Sequence, residues 1–282
     1  MKTVNNTFAS LLVVLLLSTP TCSAAFAAAK FDQNYSLFRR DLERYVEKGD
    51  VHYRLWQKNQ DRLKLFLKSL ETLSPEEFET FTPDQKHAFW LNVYNALTIK
   101  VVLDHYPIHG NSTQYPANSF RQIPGDWENG KFNVMGKEIS LYDIEHDKLR
   151  REVHDPRSHF AVVCAANSCA HLNRKPYLGS HLQNQLEEAT RRFLRDPNNL
   201  SFDKKRSTFM VSKIFSWFTL DFAAKAGYTK MPFPPPADED IIIDYTRAYM
   251  PSDLYNEVNE LRKQKRLKFD YLPYDWGLND AD

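Results

Sequence analysis

Two cysteines, Cys164 and Cys169, are the side chains of this sequence best suited to covalent chemistry. They lie in an uncharged run that begins at His159 and ends at His171, so that an imidazole stands on either side of the two thiols. A thiol beside an imidazole or a helix N-terminus has a lowered pKa and becomes nucleophilic. The residue types therefore favour a cysteine-dependent hydrolase or acyltransferase acting on a small-molecule or peptide substrate.

The position of the thiols depends on the segment that carries them. Residues 160–166 are short, rich in Val and Ala, and followed by the polar pair Asn167-Ser168, which predicts a fully buried central strand. Cys164 would lie inside that strand, whereas Cys169 would lie beyond its end, at the rim of a sheet. We therefore expect Cys169 to be the nucleophile in preference to Cys164.

The partner base is predicted from strand parity. On a regular strand His159 and Cys164, five positions apart, point to opposite faces and cannot pair directly. His146 comes from a separate helix, predicted over 140–151 behind the capping box Ser140-Leu-Tyr-Asp143, and is the preferred base. His171 is the second choice, and His159 and His171 are expected to contribute to binding.

Two asparagines belong to the same hypothesis. Asn92 and Asn95 lie three positions apart on a helix predicted over 82–104, which the capping box Thr82-Pro-Asp-Gln85 begins. That helix has no polar face, so both amides should be buried and must find hydrogen-bond partners. They either hold neighbouring backbone or line a polar pocket. In the second case Asn95 orients the imidazole or donates to an oxyanion, and Asn92 contributes to binding.

The cysteines also have non-catalytic interpretations. In an oxidising compartment Cys164 and Cys169 can form a disulfide, and the chain would then be a non-catalytic binding or scaffold module. A metal site would draw on these two residues together with His146, His159 and His171. It lacks the usual Cys-x2-Cys or His-x3-His spacing, so we expect no metal and no other cofactor.

The N-terminus predicts export. Lys2 is followed by an apolar stretch over 8–17 and by small-x-small triplets at 25–27 and 27–29. This pattern is typical of a secretory signal peptide, here residues 1–29, cleaved near Ala27–Ala29. The mature chain is expected in a bacterial periplasm or outside the cell.

Composition excludes further classes. The 37 Lys and Arg residues nearly balance the 36 Asp and Glu residues, and the two signs are interspersed. We therefore expect no nucleic-acid partner, and no later segment is apolar for long enough to insert stably in a membrane. Residues 30–282, roughly 250 in number, suit a single globular domain.

Hydrophobic periodicity predicts an α+β domain, in which helices pack around a small, mostly antiparallel sheet with a buried central strand. Residues 106–129 are predicted to form a long loop. Further helices are predicted over 35–48, 57–73, a short stretch from Pro75, 180–194, 212–227, 238–249 and 252–265, a hairpin over 131–138, and strands over 200–203, 207–211 and 267–272.

Several separated motifs resemble one known family. They are Phe89-Trp-Leu-Asn92-Val-Tyr94-Asn95-Ala96, Ser140-Leu-Tyr-Asp-Ile-Glu145-His146, Asp155-Pro-Arg with His159-Phe-Ala161, Cys164 with Ser168-Cys169, and Tyr274-Asp-Trp276. In this order, and from about Gln57 onward, the chain resembles the domain-of-unknown-function family 547. It differs at Val163-Cys164-Ala165, where the family typically has Asn-Cys-Gly, and at Ala170, where it typically has proline. The resemblance implies a fold but no settled activity. Its intracellular eukaryotic members favour free thiols over a structural disulfide.

Overall fold

The fold is organised around α5, Pro83–His105, a helix of 23 residues. In the computed structural model, which describes residues 30–125 and 127–282, this helix is buried almost continuously from His87 to Leu103. Its apolar side chains leave no polar face, and such a helix must lie inside a core. The predicted start is confirmed, because Thr82 and Gln85 form the capping box, with Pro83 in the first turn.

Further helices surround α5, and within the described residues three of the connections contain short 3-10 helices. The α-helices are α1 (Ser36–Tyr45), α2 (Tyr53–Gln57), α3 (Asp61–Thr72), α4 (Pro75–Glu79), α6 (Leu141–Asp143, continuing as a π-helix over Ile144–Val153), α7 (Leu182–Arg195), α8 (Lys213–Ala223), α9 (Asp238–Thr246) and α10 (Ser252–Lys263). The 3-10 helices are Phe120–Gln122, Pro156–Phe160 and Arg247–Tyr249.

The strands are short and form separate small sheets. They are β1 (Val46–Glu47), β2 (Asp50–Val51), β3 (Phe132–Val134), β4 (Lys137–Ile139), β5 (Leu200–Asp203), β6 (Thr208–Val211) and β7 (Lys268–Tyr271). The pairs β1–β2, β3–β4 and β5–β6 are antiparallel hairpins, whereas β7 joins β6 in parallel. This α+β architecture confirms the predicted fold class.

Residues 159–171, which we call the thiol segment, run between two hydrophobic cores. The larger core surrounds α5 and includes Ala161, Val163 and Cys169. The smaller core is built from β5, β6, α8 and α9, and it includes Phe160 and Ala170. Residues Phe31–Asp282 form one compact unit, and the predicted signal peptide lies outside the described residues.

The predicted buried central strand over 160–166 is wrong. Its first residue ends the 3-10 helix Pro156–Phe160, and the rest is irregular, with one isolated bridge from Ala166 to Leu278. The reason lies in the backbone hydrogen bonds. The N–H groups of Val163 and Cys164 donate to side chains of Asn95 and Cys169 rather than to a neighbouring strand. Without a regular strand, the parity argument that separates His159 from Cys164 does not apply.

Most other predicted elements are confirmed, with small differences. The helix predicted over 57–73 is shorter, since α3 begins at Asp61 and Gln57 ends the separate helix α2. The helix predicted over 140–151 is mostly a π-helix. Ser140 begins it as predicted, with a capping box to Asp143. π-helical turns are rare and are frequent at functional sites. None of the helices in the described residues combines the length and apolar character needed to cross a membrane.

A buried imidazole in α5 predicts how stability depends on pH. His87 is 4% exposed, and its Nε2 lies 2.9 Å from the Ser158 hydroxyl. Burial lowers its pKa from 6.5 to about 4. As the pH falls, the unfolded chain therefore binds the proton first, and the free energy of unfolding decreases between about pH 6.5 and about pH 4. We expect His87 to account for about 3 kcal/mol of that loss.

Urea denaturation of wild type and His87→Gln between neutral and acid pH measures this contribution. Gln can keep the hydrogen bond to Ser158 but does not titrate, so the stability of the variant should change less steeply over this range. Parallel curves for the two proteins would contradict the assignment.

Candidate functional site

A cavity of about 120 Å³ opens beside the thiol segment. It lies where the two cores meet, since its wall takes residues from α5, the π-helix, the thiol segment, α8 and the C-terminal segment. Its lining residues are Tyr94, Phe120, Arg121, Trp127, Glu145, His159, Val162, Cys164, Cys169, Ile214, Trp217, Phe218, Tyr274 and Trp276.

The two thiols are free and lie against each other in the wall of this cavity. The Sγ atoms of Cys164 and Cys169 are 3.0 Å apart, and they share a hydrogen bond. Cys169 is buried, whereas Cys164 is partly exposed. The Tyr274 hydroxyl lies 3.4 Å from the Cys164 sulfur.

These contacts shift the pKa values of the two thiols in opposite directions. The hydrogen bond with Cys169, helped by Tyr274 and the backbone of Ala166, lowers the pKa of the Cys164 thiol even though burial opposes its ionisation. The same hydrogen bond to Cys164, together with burial, raises the pKa of Cys169 well above its ordinary value. Although the Cys164 N–H donates to Cys169 Sγ at 3.0 Å, these shifts and the greater exposure of Cys164 favour Cys164 as the thiolate, whereas the sequence favours Cys169.

An imidazole faces the same cavity and is held by a carboxylate. His159 is 5% exposed, and its Nε2 lies 2.8 Å from Asp221 Oδ2. Arg150 also binds Asp221, with Nε 2.6 Å from Oδ2 and Nη2 3.0 Å from Oδ1. Burial opposes ionisation of Asp221, but the hydrogen bonds from His159 and Arg150 hold its pKa well below the usual range. An ionised Asp221 accepts the Nε2 proton of His159, which leaves Nδ1 as the basic nitrogen.

His146, the base preferred from the sequence, has a different setting. Its ring packs against Tyr142 at 4.1 Å between centroids, and Nδ1 accepts from Arg150 at 2.7 Å. Burial and the Arg150 charge lower its pKa. His146 is not among the residues lining the cavity, and it adjoins the site through Arg150.

His171, the second choice, packs at the β1–β2 turn. A Cβ on Gly49 would lie 2.7 Å from the Cβ of His171, so the turn fits closely against this residue. Gly49 has φ +104°, a backbone conformation that glycine adopts readily. His171 follows the lining residue Cys169 by two positions but does not itself line the cavity.

Both asparagines of α5 hold backbone. Asn95 donates to the carbonyl of Ala161 at 3.0 Å and accepts from the N–H of Val163 at 2.9 Å. Asn92 makes the matching pair with the backbone of Tyr177, at 2.7 and 2.9 Å. Asn95 therefore positions the thiol segment directly, through the residues just before Cys164.

A carboxyl group lies deep in the cavity wall. Glu145 is 5% exposed, and its Oε2 accepts from the Tyr94 hydroxyl at 3.0 Å. Burial raises the pKa of this carboxyl, although the positive charges of His159 and Arg150 and the Tyr94 hydrogen bond favour its ionised form. The π-helix positions Glu145, and α5 positions Tyr94.

Aromatic rings form much of the remaining wall. Trp217, Tyr274 and Trp276 contact one another with centroids 4.5 to 5.5 Å apart. The last two belong to the C-terminal segment, which is tied to the thiol segment because Ser168 Oγ accepts from the N–H of Asp275 at 2.9 Å. The order of this wall therefore depends on the same loop that carries the cysteines.

Sequence reasoning missed the two carboxylates, although each had a signal. Asp221 is the single charged residue between Ile214 and Phe222 of the strongly apolar α8. Glu145 is four residues from both Leu141 and Leu149, on the buried stripe of its helix. A lone acid on an apolar face requires a partner, and that requirement pointed to both residues.

Among residues 30–125 and 127–282, no group of His, Cys, Asp and Glu is arranged to hold a metal ion.

Comparison with known proteins found one family whose model matches part of this chain. A family model described as "Protein of unknown function, DUF547" matches residues 78–194. No curated protein and no solved structure gives a significant match. The matched range contains Glu145, His159 and both cysteines, whereas Asp221 and the aromatic group of Trp217, Tyr274 and Trp276 lie beyond it.

Proposed function

Since the chain belongs to the DUF547 family through residues 78–194, whose description states no activity, we propose its function from the site itself: a cysteine-dependent hydrolase or acyltransferase with Cys164 as the nucleophile. Its substrate would be a small molecule or a peptide that brings a carbonyl group into the cavity beside the thiol segment.

One observation carries this proposal. The thiol with the lowered pKa, Cys164, and an imidazole held by a carboxylate, His159 with Asp221, line the same cavity. A nucleophile, a base and a third group that orients the base are the parts required for covalent catalysis. Here Asp221 fixes the tautomer of His159, and Arg150 fixes Asp221.

The proposed reaction runs through a thioester. The Cys164 thiolate attacks the carbonyl carbon, a C–S bond forms, and the bond to the leaving oxygen or nitrogen breaks as protonated His159 supplies a proton to it. His159 then removes a proton from water or from an acceptor nucleophile. That nucleophile attacks the thioester, the C–S bond breaks, and the thiolate returns. Cys169 and Tyr274 stabilise the thiolate at the start and the end of the cycle.

Burst kinetics with p-nitrophenyl acetate test the proposal without knowledge of the natural substrate. Wild type should release one equivalent of nitrophenol rapidly and gain one acetyl group by intact mass, located on Cys164 by peptide mapping. Cys164→Ser should lose the burst. Cys169→Ala is the matched control, because it removes the neighbouring thiol but keeps the nucleophile, and it should retain a slower burst. A full burst in Cys164→Ser would refute the proposal.

A second function is favoured by the short distance between the sulfurs. With Sγ atoms 3.0 Å apart, loss of two hydrogens to an oxidant would join Cys164 to Cys169 with little movement. The bridged chain would be the non-catalytic binding or scaffold module. Thiol counting on the native protein, with and without reductant, distinguishes the two functions, since the enzyme requires a free and reactive Cys164.

The proposal includes export. The signal peptide predicted over residues 1–29 supports a mature protein that acts in the periplasm or outside the cell. Fractionation of bacteria that express the full chain, followed by intact mass, should find the protein outside the cytoplasm with a new N-terminus near Ala27–Ala29. An uncleaved chain in the cytoplasm would contradict this part of the proposal.

A further inference from the structure

The reaction proposed above does not use Glu145, a buried acid in the wall of the cavity. Among residues 30–125 and 127–282, its carboxyl accepts one side-chain hydrogen bond, from the neutral phenol of Tyr94. A buried carboxylate is costly in free energy unless a cation accompanies it. The cavity therefore contains a site where a ligand with positive charge would be favoured.

The cations near Glu145 already have other carboxylate partners. His159 and Arg150 both bind Asp221 directly, at 2.6 to 3.0 Å. Arg121, which also lines the cavity, is paired with Glu128 at 3.5 Å. His159 and Arg150 attract Glu145 at longer range, but all three cations make their short contacts with other carboxylates.

The rings around this carboxyl suit the same kind of ligand. Tyr94 and Trp127 are 5.8 Å apart with planes at 81°, and Phe120 is 6.2 Å from Trp127 at 82°. A second group in the lining consists of Trp217, Tyr274 and Trp276. The faces of aromatic rings attract cations, and cages of such rings recognise quaternary ammonium groups.

We propose that the cavity binds the ammonium group of its substrate between these aromatic rings, with Glu145 as the counter-ion. The substrate class is an acyl compound that carries a quaternary or protonated amine, such as the ester of an amino alcohol. A cavity of roughly 150 Å³ holds a benzene ring, so that the 120 Å³ here suits a trimethylammonium group. The inference rests on the proposed function in treating this ligand as a substrate, but the binding itself requires no reaction.

A fluorescence titration tests the site, with choline and 3,3-dimethyl-1-butanol as the probes. The two molecules have the same shape, and only choline is charged. Trp127, Trp217 and Trp276 line the cavity and report binding. In Cys164→Ser, where no acyl transfer can occur, choline should change the emission saturably and bind at least about tenfold more tightly than the neutral alcohol. Equal binding of the two probes, or binding of neither, would overturn the proposal.

Two variants localise the charge effect. Glu145→Gln should lose most of the preference for choline, about tenfold in affinity. Glu152→Gln, which makes the same charge change at an exposed position on the same π-helix, should stay within about twofold of the parent. Unchanged choline binding in Glu145→Gln would refute the site, and the comparison of the two probes on the parent protein stands even if this variant fails to fold. An acetyl burst without choline binding would contradict the ammonium site and leave the proposed reaction intact. Choline binding without a burst would contradict the proposed reaction and leave the ammonium site intact.

Discussion

An Asp221→Asn variant is expected to form the Cys164 acyl-enzyme on the order of 100-fold more slowly than wild type, because Asp221 orients His159, the base of the proposed reaction. Asn can donate as well as accept, so it no longer selects the tautomer of His159 in which Nδ1 is basic. It also removes the negative charge that stabilises protonated His159 at the moment of proton transfer.

The same substitution is expected to lower the free energy of unfolding by about 2 kcal/mol. Breaking a fully buried ion pair costs more, but Asp221 is 23% exposed and solvent screens part of the charge of Arg150. Burst kinetics give the first effect, and urea denaturation at neutral pH gives the second.

Asp244→Asn provides the matched control. Asp244 binds Arg262 at 2.9 Å and is 24% exposed, so its setting resembles that of Asp221, but it lies on α9 and does not line the cavity. This variant should lose comparable stability and keep the wild-type burst. An Asp221→Asn protein that reacts at the wild-type rate would show that His159 does not act as the base.

The second large effect is expected from Cys169→Ala. Cys169 is the strongest of the contacts that lower the pKa of the Cys164 thiol, so its removal should move the pH profile of alkylation to higher pH. Loss of this one hydrogen bond should lower the rate of Cys164 alkylation at neutral pH about 3- to 10-fold. The rate of iodoacetamide modification as a function of pH measures this change.

Tyr274→Phe removes a weaker donor to the same sulfur, 3.4 Å away, and should give a smaller change in the same direction. If Cys169→Ala instead left the pH profile of alkylation unchanged, the hydrogen bond between the two thiols would have no chemical role.

Local sequence signals predicted much of the fold. The capping boxes at Thr82 and Ser140 placed the starts of α5 and α6, because a cap depends on residues three positions apart in the chain. The hairpin β3–β4 followed in the same way from its turn at Met135-Gly136, where both residues have positive φ. The absence of a polar face in α5 correctly predicted its burial.

The thiol segment was harder because its backbone bonds to distant side chains. Apolar residues over 160–166 are typical of a strand, but Asn95 supplies from α5 the hydrogen bonds that a neighbouring strand would have made. Such a clamp joins residues more than sixty positions apart, which no local pattern encodes.

The candidate site was predicted only in part, because it too depends on contacts between distant parts of the chain. The thiols and His159 were identified from residue type, and the choice between Cys164 and Cys169 depended on exposure and on donors from elsewhere in the fold. Asp221 comes from α8, 62 positions after His159, so only the packing of α8 against the thiol segment brings the two together.

The most direct measurement is the site of modification when native protein reacts with less than one equivalent of iodoacetamide at about pH 6, where ordinary thiols are almost fully protonated. The structure predicts that peptide mapping finds the label on Cys164, at a rate well above that of unfolded protein. A label on Cys169, or a native protein no more reactive than the unfolded chain, would contradict the account of Cys164 as an activated nucleophile.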